Sequence, residues 1–330
     1  MKAWQLSSYG EPEEVLELAD RPRPVPGQGQ LLVRVLAASA NFPDFLMIRG
    51  NYQVKPPLPF VPGVELCGEV VEAGPDVTGF APGDRVLGGA ALPDGAFAEY
   101  ALMDAVRALP VPESLDDAEA APFHVTYQTG WFGLHRRARL AAGETLLVHA
   151  AAGGVGSGAV QLGKAAGATV IGVTGGKEKA AIARELGADV VIDRHEEDFV
   201  QVVKDVTGGR GADVVYDPVG GDDFDTALRS TNWGGRLIVI GFAGGKVQQI
   251  PANILLVKNL SALGFYWGSY RRHRPQLLAP AFAQMFQWWE SGKLKPRISG
   301  RYDLAEAKTA LRLVGERKAT GKIVLTTGAQ

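Results

Sequence analysis

A chain of 330 residues, 46% hydrophobic and 21% charged, holds enough apolar material for about two globular domains and excludes a disordered or fibrous class. A net charge of −2 gives no electrostatic basis for a nucleic-acid or anionic-membrane partner. The single cysteine, Cys67, excludes an intrachain disulfide and a cysteine-rich zinc site. The opening MKAWQLSSYG has no apolar leader core and no apolar run reaches spanning length, so a cytoplasmic location and no membrane partner are expected.

Residues 1–122 are short apolar runs broken by Gly and Pro, with strands expected at Leu31–Leu36, Gly68–Ala73, Gly83–Leu87 and Ala96–Leu102. The proline-rich connector Arg21–Gln30 lies before the first of these, and the pattern suits a small, irregular β-barrel. Asn41–Arg49 reads as a short helix with Asn41 or Asp44 near its start. Ser114–Ala121 reads as a helix capped by Ser114, leading through Pro122 into a longer helix over His124–Arg139.

Thr145–Asp193 alternates strand and helix. Thr145–His149 is a strand, Ala150–Gly156 a turn and Ser157–Ala166 a helix of small residues; Thr169–Val173 is the next strand. Lys177–Leu186 is a helix ended by Gly187, and Val190–Asp193 a third strand. This is the pattern of a right-handed βαβαβ unit in a parallel sheet. The turn Ala150-x-x-Gly153-x-x-Gly156 sits where a dinucleotide-binding turn must sit, after a strand and opening a helix. Gly153 and Gly154 can take positive φ and let the backbone approach a pyrophosphate, and Gly156 lets the following helix sit tight against the strand. Strands at Asp213–Tyr216, Arg236–Ile240 and Leu260–Gly264 bring the sheet to roughly six.

Beyond Phe265 the pattern is helical. Pro275–Ser291 carries an apolar stripe at Leu278, Phe282, Met285 and Trp289, with Pro280 a point for a kink or restart. Asp303-x-x-Glu306 is a capping-box start for Leu304–Val314, and Lys322–Leu325 is a last strand. Residues 266–330 are too few for a separate domain and are expected to rejoin the first.

Several motifs together resemble one family. They are Pro62-Gly63-Val64-Glu65-x-x-Gly68-x-Val70, Gly83-Asp84-Arg85-Val86, Gly95-x-Phe97-Ala98-Glu99-Tyr100, the turn from His149 to Gly156, and Gly321-Lys322-Ile323-Val324-Leu325. The chain resembles the zinc-independent quinone oxidoreductase (zeta-crystallin-like) branch of the medium-chain dehydrogenase/reductase superfamily. That resemblance implies an α/β protein, a Rossmann doubly wound parallel sheet (123–265) inserted in a discontinuous GroES-like β-barrel catalytic domain (1–122 and 266–330). It also implies a cleft between the two domains, and a homodimer through Rossmann edge strands.

Related alcohol dehydrogenases hold catalytic zinc with a cysteine, a Gly-His-Glu segment and a second cysteine. Here the first place falls on Ala40 or Asn41, and Gly63-Val64-Glu65 stands in the second. Histidines 124, 135, 149, 195 and 273 show no ligand spacing; His149, ending a buried strand, reads as a satisfied core residue. No metal is expected, and without a Lewis acid a quinone or activated alkene suits hydride transfer better than a simple carbonyl.

The second strand of the unit ends Val173-Thr174-Gly175-Gly176, with no carboxylate for a ribose 2′-OH, and Lys177, Lys179 and Arg194 stand nearby. NADPH is the expected cofactor. Solvated helix-end charges are the alternative for these cations. The resemblance implies cofactor contacts at Thr126, Ala151, Gly153, Gly154, Val155, Gly156, Thr174, Gly175, Lys179, Arg194, Gly241, Phe242, Phe265 and Lys322. It places Asn41 and Asp44 near the substrate, where they serve equally well as helix caps, and Tyr52 where the resembling enoyl reductases carry a catalytic tyrosine. Phe42, Tyr52, Phe265 and Trp267 are either an aromatic slot or plain core. Arg271–Arg274 is a solvated loop or a phosphate contact for a coenzyme A ester. The expected activity is reduction of a small-molecule quinone or enone. The alternatives are an enoyl-thioester or 2-alkenal reductase, and an NADPH-binding structural or sensing protein.

Overall fold

The computed structural model describes residues 1–221 and 223–328. They form two compact units, Met1–Val125 with Pro296–Gln330, and Thr126–Lys295.

The first unit is built around its longest strand, Gln30–Ala40, whose alternating Leu31, Val33 and Val35 are buried. It pairs antiparallel with Glu65–Ala73, with Tyr100–Asp104 and with Lys322–Thr326. Lys322–Thr326 in turn pairs parallel with Ile298–Asp303, so strands from both ends of the chain share one seven-stranded sheet. Two register shifts along Gln30–Ala40 bend the sheet toward a barrel. Phe60, Leu66, Phe97, Met103 and Leu325 fill it. The expected capping box at Asp303 is present: its carboxylate accepts from Ala305 N at 2.8 Å while Glu306 returns to Asp303 N at 3.0 Å. Near residue 115 the cap is Asp116, not Ser114. Its Oδ1 accepts from Ala118 N (3.0 Å) and Glu119 N (3.2 Å), and the helix is only Asp117–Ala120.

The second unit carries a six-stranded, wholly parallel sheet in the order 190–193, 169–174, 145–149, 212–217, 231–239, 261–264. Every residue of Thr145–His149 is buried, as a strand covered on both faces requires. The order reverses between Thr145–His149 and Ala212–Asp217, and the carboxyl ends of strands at such a reversal are where sheets of this type take ligands. The expected His124–Arg139 helix is an α-helix over Thr126–Trp131 continued by a π-helical stretch, Phe132–Arg137. Pro280 causes no break, because it lies in the first turn of Leu278–Glu290, where its missing N–H has no intrahelical partner to lose.

Residues 266–295 belong to this second unit, not to the first as expected from the sequence. Phe132 packs on Trp267 and Tyr270, with centroids 5.2 and 5.0 Å away, and Trp131 Nε1 donates to Gln284 Oε1 at 2.7 Å. Buried Gln161 accepts from Lys295 N (2.7 Å) and from the Tyr127 hydroxyl (3.0 Å), and donates to Lys295 O (2.8 Å). The stripe Leu278, Phe282, Met285 thus finds its cover near the helix Thr126–Trp131. Val125, by contrast, is held in the first unit, where its N–H donates to Glu65 Oε2 at 2.6 Å.

Candidate cofactor and active site

In the nucleotide turn the positive φ falls on alanine, not on a glycine. Gly153 is extended (φ −85°, ψ 179°) and Gly154 already helical, and the left-handed residue is Ala150, at φ 50°. The glycines serve close approach instead. A Cβ on Gly156 would lie 2.1 Å from the Ala150 carbonyl oxygen and 2.8 Å from its carbon, a clash with backbone that nothing can relieve. Gly153, as N-cap, has no side chain to take the first-turn N–H groups of the helix Gly154–Ala165. Those donors, at Gly154, Val155 and Gly156, and the positive end of the helix suit a phosphate. Ala151 is fully buried, its methyl under Gly172.

A second group gathers where Thr169–Thr174 ends. Thr174 is buried and its hydroxyl has no partner. Gly176, at φ 90°, caps the helix Lys177–Glu185, on whose first turn Lys179 is half-buried. Asp193 braces this turn by accepting from Gly176 N (2.9 Å) and His195 N (3.2 Å), bonds that hold its carboxyl below the usual carboxylate range. The His195 ring lies against Gly175, its Nε2 2.8 Å from where a Cβ would stand. His195 had no sequence signal beyond following the strand end. Arg194 is also here, paired through Nη1 with Asp223 Oδ2 at 2.7 Å, both side chains about 40% exposed.

The remaining cofactor positions of this unit lie on three segments. Thr126 packs its methyl against Gly158, and its buried hydroxyl has no partner. Phe242 is 43% exposed and reaches Gly220, while buried Phe265 packs on Tyr270 with centroids 5.6 Å apart. Buried, unpartnered hydroxyls at Thr126 and Thr174, with the cradle at Gly156, fit a dinucleotide. His149 is buried but not satisfied: Nδ1 stands 3.9 Å from Asp217 Oδ1, and Nε2 has no partner. Burial lowers its pKa, which keeps the ring neutral. Trp267 is core against Phe132, and Arg271–His273 end a helix, Trp267–His273, rather than forming a loop.

In the first unit, Asn41, Asp44, Glu65 and Lys322 form one buried polar cluster. Asn41 N donates to Asp44 Oδ2 (2.9 Å) and Gly63 N to Asp44 Oδ1 (3.2 Å), so Asp44 is both helix cap and anchor for the Gly63 turn. The Asn41 amide donates to Ser39 O (3.0 Å) and Glu65 Oε1 (2.9 Å) and accepts from Lys322 Nζ (2.5 Å). Both its N–H groups are used, which leaves no donor for a substrate. Lys322 Nζ also reaches Glu65 Oε1 at 3.2 Å and is 5% exposed, so this lysine, expected among the cofactor contacts, is turned into the cluster. Burial drives the Asp44 carboxyl up to about 7, with Glu65 adding and the two backbone donors and Lys322 opposing. Glu65 was visible in the sequence as part of a family motif and of an incomplete zinc motif, neither of which gave it a role. Its role needs Asn41 and Lys322, which are distant in sequence.

Tyr52 packs half-buried on the barrel core, and Phe42 stacks on Phe45. Cys67 is buried and donates to Asp117 Oδ1, and burial pushes the thiol up. Among the described residues no three His, Cys, Asp or Glu side chains gather in a group able to hold a metal.

Comparison with known proteins gives the same architecture. A family model for an alcohol dehydrogenase GroES-like domain matches residues 27–113, and one for a zinc-binding dehydrogenase matches residues 154–284. A quinone oxidoreductase-like protein 2 homolog of Nematostella vectensis is 44% identical over 303 residues, covering 91% of this chain and 82% of that protein. Mycobacterial Rv1454c, solved in complex with NADPH, is 34% identical with a TM-score of 0.92, covering 99% of this chain and 100% of that one. The quinone oxidoreductase of Escherichia coli, also complexed with NADPH, has 31% identity and a TM-score of 0.92 at 99% and 100% coverage. The chain belongs to the quinone oxidoreductase branch of the medium-chain dehydrogenase/reductase superfamily.

Proposed function

We propose that this oxidoreductase reduces quinones or related conjugated carbonyls with NADPH, without a metal ion and as a cytoplasmic homodimer. The observation that carries the reading is the end of the strand Thr169–Thr174. It offers a buried free hydroxyl, a glycine turn and cations, and the carboxylate beside it, Asp193, is engaged by Gly176 N and His195 N. Ala151 and Gly153–Gly156 take the pyrophosphate; Thr174, Gly175, Lys179, Arg194 and His195 surround the 2′-phosphate; Thr126, Gly241, Phe242 and Phe265 hold the nicotinamide end. NADPH supplies the hydride, and the protein aligns it and keeps water away. Asn41, Asp44 and Lys322 hold one another and Glu65, so their part is to shape the barrel wall rather than to react. Engagement of both Glu65 oxygens, by Asn41 and Lys322 on one side and Val125 on the other, supports the metal-free reading.

Tyr52 favours a second reading, an enoyl-thioester or 2-alkenal reductase in which its phenol donates the second proton. Turnover of NADPH against a panel of quinones, alkenals and enoyl thioesters separates the two. Quinones are expected to give the highest kcat/KM. A thioester or alkenal preferred by more than tenfold, and lost in Tyr52→Phe, would move the assignment to the second reading.

A further inference from the structure

We infer that Asp217 is a positioning residue for the nicotinamide end of the cofactor site, acting through a backbone clasp on Gly241 and Phe242. The inference rests on the NADPH reading above. Asp217 ends the strand Ala212–Asp217, beside Thr145–His149, where the strand order reverses. It is fully buried. Its Oδ1 accepts from Val219 N (2.9 Å) and Gly220 N (3.0 Å), closing an Asx turn that continues through Gly220 and Gly221, both at φ 65°.

The turn carries the next loop. Ile240 N donates to Asp217 O (2.9 Å), Ala243 N to Pro218 O (3.1 Å) and Gly244 N to Val219 O (2.8 Å). These bonds bracket Gly241 and Phe242, and the Phe242 ring reaches within 3.3 Å of where a Cβ on Gly220 would lie. One carboxyl therefore sets one turn, and that turn sets the loop.

The clasp needs an acceptor oxygen at this place, which an aspartate supplies and an asparagine would also supply. Oδ2 is buried and without a partner, and so is Nε2 of His149, whose Nδ1 lies 3.9 Å from Oδ1. Two unsatisfied buried polar atoms stand at the carboxyl ends of adjacent strands, the place where this sheet type takes its ligand.

The test compares NADPH with 2′,5′-ADP, which is the adenosine half alone, by calorimetry, and adds kcat with a quinone. In Asp217→Ala, NADPH binding is expected to weaken about tenfold and kcat to fall about 10- to 100-fold, with 2′,5′-ADP binding within about twofold of wild type. Asp217→Asn, whose amide oxygen still takes both N–H groups, should recover most of the loss. Equal losses for both ligands, no loss in a folded alanine variant, or an asparagine variant no better than alanine would each overturn the proposal. If the alanine variant does not fold, Asp217→Leu, close in volume and without an acceptor, carries the same comparison with the same outcomes. Wild-type protein that binds neither ligand would instead refute the NADPH reading itself.

Discussion

Asp44 closes a short helix with one oxygen and anchors the Gly63 turn with the other, buried beside Glu65. Burial, the largest influence, raises its folded pKa to about 7 from an ordinary 3.8. Between those values the native state holds a proton that the unfolded chain has released. The group's contribution is therefore complete below about pH 4 and is lost as pH rises through about 7. Urea unfolding of wild type and Asp44→Asn across that range should show the wild-type advantage narrowing as pH rises. An advantage that widens with pH would contradict this assignment. Asn41 and Asp44 were legible as helix caps because capping depends on near neighbours. Glu65 was not, since its partners Asn41, Val125 and Lys322 arrive from three other segments. Ala150 was missed for a different reason. Alanine carries no sign of a left-handed φ, and the strain is imposed by the turn around it.

At the scale of elements, the strand Ser261–Gly264 is an open edge of the parallel sheet, and the helix Ala252–Lys258 before it buries none of its residues. Leu256 and Val257 are 76% and 72% exposed on that helix. An open edge beside exposed leucine and valine is the place where the proposed second copy would pair by symmetry. Light scattering should give about 70 kDa, twice the chain mass of 35.0 kDa, at working concentrations. A mass near that of one chain would refute it. The strand–turn–helix alternation over Thr145–Asp193 was legible because its signals are local: apolar runs, glycine stops and caps. The helix Leu278–Glu290 was legible as a helix but not as part of the second unit. Its placement comes from Trp131, Phe132 and Gln161, far away in sequence.

For the whole molecule, the two units divide the chemistry between them. Of the groups expected to contact the dinucleotide, all but Lys322 lie in the second; the first holds Tyr52 and the buried Asn41–Asp44–Glu65–Lys322 cluster. The second unit is proposed to take NADPH, with Arg194 sharing its charge between Asp223 and the 2′-phosphate. The most direct test is quinone-dependent oxidation of NADPH and NADH by the same purified protein. The kcat/KM for NADPH is expected about tenfold or more above that for NADH, the scale of one charge-assisted contact. Equal or better use of NADH, or oxidation of neither cofactor, would contradict it.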